Sequence, residues 1–141
     1  MKYLRFEDCN FHDSIIKKVD YDGKFLTLYI PESDHENTYK NLIVKIPICD
    51  GDFSIYHLKQ HPRFHKIKFK GIEMSLRSLK SLFEKGYALE IVDVLVSVNE
   101  NTTIMRCVLI PYNTKQGICE KIFFEFTDVH NIVFEQMNDD I

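Results

Sequence analysis

The chain has 141 residues, 45% of them hydrophobic and 28% charged, and a formal net charge of −3. That length suits a single domain over residues 1–141, large enough to bury a core without disulfide or metal staples, and the composition excludes a wholly disordered chain. The acidic balance gives no overall electrostatic case for nucleic acid, although a local basic patch stays open. No stretch approaches the ~20 apolar residues of a membrane-spanning helix. The opening residues lack a signal-peptide pattern, so the expected location is the cytoplasm.

Period-two alternation dominates the chain. The first stretch, Phe11 to Ile30, reads as a turn entering a hairpin, with Asp22-Gly23 as its tight connection. Leu26, Leu28 and Ile30 share one face. A polar loop, Glu32 to Lys40, leads to a second strand in which Leu42, Val44, Ile46 and Ile48 share a face. After the turn at Asp50-Gly51-Asp52, Phe53 to Leu58 fits a strand or a short helical turn, and Pro62 is expected to stop either one. In His65 to Gly71, Ile67 and Phe69 alternate with Lys66, Lys68 and Lys70.

One helix stands out, over about residues 75–85. Ser75 is its N-cap, Leu76, Leu79, Leu82 and Phe83 form its apolar face, and Gly86 follows its end. Two long strands come next, Tyr87 to Val98 and Thr103 to Tyr112, joined at Asn99-Glu100-Asn101. The first is rich in β-branched residues on both faces, as a central strand is. Glu120 to Phe126 alternates again, and the acidic tail over 136–141 is expected to fray. The fold class is therefore α+β and mainly β: an antiparallel sheet of about eight strands, as a barrel or a sandwich, with one helix.

Four groups carry possible chemistry. His12-Asp13-Ser14 has the residue types of a hydrolase triad, but neighbours on a strand alternate in direction, and triads are assembled from distant segments. The run reads instead as a turn fixed by side-chain bonds to the backbone. His57, His61 and His65 are four apart, yet H-E-x-x-H is absent and Pro62 interrupts any helix, so no metal is assigned. Cys9, Cys49, Cys107 and Cys119 have no C-x-x-C pair and read as reduced thiols. The three lysines at 66, 68 and 70 read as protection of an edge strand. No cofactor fingerprint occurs, and no catalytic residue is assigned.

Acidic residues gather in two loops: Glu32, Asp34 and Glu36, then Asp50 and Asp52. Loop acids of this kind can meet a basic protein partner, as in an inhibitor of a nuclease.

Phe11-His12-Asp13-Ser14, followed by Ile16, Val19, Tyr21, Asp22-Gly23, Leu26, Leu28 and Ile30, resembles the opening of a group of small bacterial domains. Those domains begin with a His-Asp-Ser run and a hairpin, and some resemble immunity proteins of toxin systems. The resemblance implies a mainly β domain and a toxin as protein partner. Two other readings stand beside it. One is an enzyme whose site joins distant histidine, cysteine and carboxylate residues; the other is a subunit of a homo-oligomer.

Overall fold

The computed structural model describes residues 2–4, 11–32, 40–63, 66–97, 99, 101–111, 120–129 and 131–136. Among these residues, eleven strands and one α-helix follow in chain order. The first strands are β1 (Lys2–Leu4), β2 (Ile15–Ile16), β3 (Lys18–Tyr21), β4 (Phe25–Glu32) and β5 (Lys40–Pro47). Next come β6 (Phe53–Arg63), β7 (Lys66–Met74), α1 (Leu76–Glu84) and β8 (Tyr87–Ser97). The chain ends in β9 (Thr102–Pro111), β10 (Lys121–Thr127) and β11 (Ile132–Gln136). The strands beyond the alternating runs are short ones: β1, β11, and a break at Lys17 that divides β2 from β3.

All pairings are antiparallel, in the order β1-β11-β5-β4-β2-β8-β9-β10-β6-β7, with β3 also on β4. The two residues of β2 join the halves: Ile15 lies opposite both Glu32 of β4 and Glu90 of β8. Among the described residues no pairing links β7 to β1, so the ladder does not close into a barrel. It folds over at β2, and the two halves face each other like a sandwich.

The inner faces explain why. Ile16, Leu26, Leu28, Ile30, Val44 and Ile46 from one half are fully buried. They belong to the same apolar cluster as Ile91, Met105, Ile122, Phe124 and Phe126 from the other. Each set recurs at every second position of its strand, so one face of each half must be taken from water. The rings of Phe124 and Phe126 stack with centroids 6.0 Å apart.

The local signals act as their chemistry requires. The Asp22 carboxylate accepts from the backbone N–H groups of Lys24 and Phe25, at 2.8 and 2.7 Å, and closes the β3–β4 turn. Gly23 within that turn has φ +93°, which a residue with a Cβ adopts only with strain. Ser75 Oγ accepts from the Ser78 N–H at 3.1 Å and caps α1, whose Leu79 is fully buried. Gly86, at φ +95°, ends the helix and turns the chain into β8.

Pro62 does not act as a stop: β6 runs through it to Arg63. Past Leu58, β6 pairs only with β7 among the described residues, and such an edge tolerates the missing proline donor. The loop over 33–39 and the tail over 137–141 lie outside the described residues. Phe124→Ala, which removes a fully buried ring, is expected to cost about 3–5 kcal/mol. Ser75→Ala should cost about 1 kcal/mol. Urea unfolding midpoints of the two variants against the wild type check both values.

Candidate functional site

The His-Asp-Ser run sits against a bulge in β8. The register of β8 with β9 skips Val92: Ile91 lies opposite Cys107, and Asp93 opposite Arg106. The extra residue reverses the alternation, so Ile91 faces inward while Asp93 faces outward. The turn at 11–14 grips this irregularity. Asp13 N–H donates to the Ile91 carbonyl at 2.9 Å, and Ile91 N–H donates to the Ser14 carbonyl at 2.8 Å. His12 Nδ1 lies 2.6 Å from the Val92 carbonyl. A carbonyl only accepts, so Nδ1 carries a proton.

This geometry differs from that of a triad. His12 Nε2 lies 3.4 Å from Asp13 Oδ2, so its two ring nitrogens face a carbonyl and a carboxylate. Ser14 is 1% exposed, beneath the turn rather than at a surface that a substrate can reach. Asp13 has φ +66°, an uncommon backbone state that Asp tolerates better than most residues. Phe11 anchors the turn by stacking on Phe134 at 5.8 Å. Outside the bulge, Asp93 accepts from Arg106 Nε at 2.6 Å and pairs with Nη2 of the same guanidinium. That guanidinium holds the Asp93 carboxyl below the usual carboxylate range, and nearby His12 acts in the same direction.

His57 and His61 stand well apart on β6. His57 is buried in β6 and lies 3.2 Å from Glu120. His61 occupies a β6 position opposite Lys68, four rises or roughly 13 Å along the strand, too far to share a metal with His57. His65 lies outside the described residues. The register also sets His57 and Cys107 in one lateral row, with Ile122 between them. Two strand spacings separate their backbones by roughly 10 Å. Burial pushes the Cys107 thiol far up, with Asp93 as a lesser cause, so it does not supply a thiolate at neutral pH. Among the described residues no three His, Cys, Asp or Glu side chains converge to hold a metal.

A groove of about 560 Å³ runs between α1 and the segment at 17–20, lined by Lys17, Lys18, Asp20, Lys80, Phe83 and Glu84. Asp20 bridges Lys80 at 3.0 Å and Lys18 at 3.4 Å. Burial raises the Asp20 pKa, but the bonds to these two lysines outweigh it and hold the carboxyl low.

The acidic loops separate. Asp50 and Asp52 lie in a short 3-10 turn between β5 and β6, beside the Asp22 turn. Ile48 N–H donates to the Lys24 carbonyl at 3.0 Å, and the Tyr21 hydroxyl donates to the Ile48 carbonyl at 3.0 Å. These bonds tie the two turns into one corner, and Tyr21 packs edge-on against Phe53 at 5.0 Å. The Tyr21 pKa is raised, first by burial and then by Asp50, Cys49, Asp22 and Asp52. Glu32 lies at the opposite end of β4, seven rises or roughly 23 Å from Phe25. Asp34 and Glu36 lie outside the described residues. Asp22 joins the corner although its Asp-Gly signal marks only a turn; no sequence pattern places it beside Asp50.

Two outcomes check these contacts. Ser14→Ala should cost about 1 kcal/mol, the scale of one net hydrogen bond, measured by thermal unfolding. Asp93 has a lower pKa folded than unfolded, so its contribution is complete above about pH 4 and lost as pH falls further. Asp93→Asn should therefore lose less stability than the wild type between pH 6 and pH 3. Comparison with protein-family models, with curated proteins and with solved structures finds no match.

Proposed function

We propose that the chain is a binding protein that holds one protein partner stoichiometrically, in the manner of an immunity protein neutralising a toxin. The observation that supports this is the acidic corner. Asp22, Asp50 and Asp52 come from two turns that backbone bonds and Tyr21 hold together. A corner fixed in this way loses little freedom on binding, and its like charges favour a partner with a basic surface. The resemblance of residues 11–30 to small bacterial domains, some of which resemble immunity proteins of toxin systems, points the same way. The enzyme reading has weaker support, because Ser14 and Cys107 are buried and the His12 ring nitrogens face a carbonyl and a carboxylate.

A native pulldown with tagged protein from the source lysate tests the proposal. One basic protein near equal stoichiometry, released at high salt, is the expected result. The double variant Asp50→Lys/Asp52→Lys should lose that partner while keeping its melting temperature within a few degrees. Full retention of the partner by this variant, or recovery of no partner by the wild type, would overturn the proposal.

A further inference from the structure

The outer face of β8, β9, β10, β6 and β7 sets large apolar side chains toward water. Ile104 lies opposite both Leu95 and Glu125. Arg106 lies opposite Asp93 and Phe123, and Phe123 opposite Tyr56. Lys121 lies opposite Val108 and Leu58. Directly opposed residues share a face, and so do alternate residues along each strand, so these are three parallel rows on one face. The positions between them, among them Ile55, Met105, Ile122 and Phe124, point inward and are buried. The outer rows are open to water: Leu95 is 52% exposed, and Arg106, Lys121 and Glu73 are exposed as well.

The charges on this face complement themselves. Lys121 and Glu125 flank Phe123 on β10, each two rises or roughly 7 Å from it. Among the described residues neither enters an ion pair. Arg106, by contrast, is neutralised by its own Asp93. A two-fold axis laid along the middle row, across the strands, reverses each strand and sets it against itself. Phe123 then meets Phe123 of a second copy, and Tyr56 meets Tyr56. Lys121 of each copy meets Glu125 of the other, and Ile104 meets Val108. Glu73 and Glu90 fall at the rim, on the outermost strands of the face.

We propose that two copies of the chain pair through this face as a two-fold dimer, their sheets stacked about 10 Å apart. The five strands, over about six rises, outline roughly 24 by 20 Å, or about 500 Å² per copy. The pair then buries about 1,000 Å², the size at which specific interfaces begin, so the dimer is reversible rather than obligate. Apolar contact at the centre supplies the attraction. The Lys121–Glu125 contacts select this register over a shifted one, which would set like charges together. The inference does not rest on the proposed protein partner, whose acidic corner is built from turns and not from this face.

The test is sedimentation equilibrium of the full chain from about 5 to about 500 μM, with a dimer Kd of about 10–100 μM expected. Lys121→Glu and Glu125→Lys should each weaken pairing about tenfold, since each sets like charges together at both symmetric contacts. The double variant Lys121→Glu/Glu125→Lys should regain the wild-type affinity. The swap restores both contacts across the interface and creates none within one chain, where the two positions lie four rises apart. Leu95→Asp, at an exposed position, should also weaken pairing while its melting temperature stays within a few degrees. A double variant no tighter than the single ones, or pairing that Leu95→Asp leaves unchanged, would overturn the proposal. So would a wild type that is monomeric throughout, and loss of a pulldown partner by Leu95→Asp would then give the face to that protein instead.

Discussion

Ile15 and Ile16 are where the two halves of the sheet become one structure. Ile15 pairs across both β4 and β8, and Ile16, fully buried, enters the cluster that fills the space between the halves. A shift of β2 by one residue would turn Ile16 outward and break the join on both sides at once. The His-Asp-Ser turn prevents that shift. Its bonds to Ile91 and its reach to Val92 fix where β2 meets β8, and the bulge offers the carbonyl at which His12 arrives. Three residues that look like chemistry thus serve as the clasp of the sandwich.

Other features follow from that join. The halves hold their inner faces together, with α1 against β8 and β3. Their outer rims are then left to the turns and the long hairpins. The acidic corner lies where the β3–β4 turn meets the turn after β5. This surface does not need the core to deform, because it extends strands whose inner residues are already committed.

Most of the architecture is legible in the sequence because burial on one face writes itself as alternation. Leu42, Val44 and Ile46 mark β5, Asp22-Gly23 marks the β3–β4 turn, and Ser75 with Leu79 marks the helix. The rest depends on pairing, which a single strand does not record. Val92 is hard to see as a bulge because β8 is rich in β-branched residues on both faces, which blurs the shift of the inward phase from Leu89 and Ile91 to Val94 and Val96. Pro62 suggests a stop, and only its edge position explains why β6 continues. The acidic loops look alike in sequence, yet Glu32 and Asp50 lie at opposite ends of the β4–β5 pair.

The clasp also spans the chain: His12 reaches Val92 across 80 positions. A join between segments that far apart must close a long loop before any contact rewards it, so the sandwich folds at the slow end for a chain of its size.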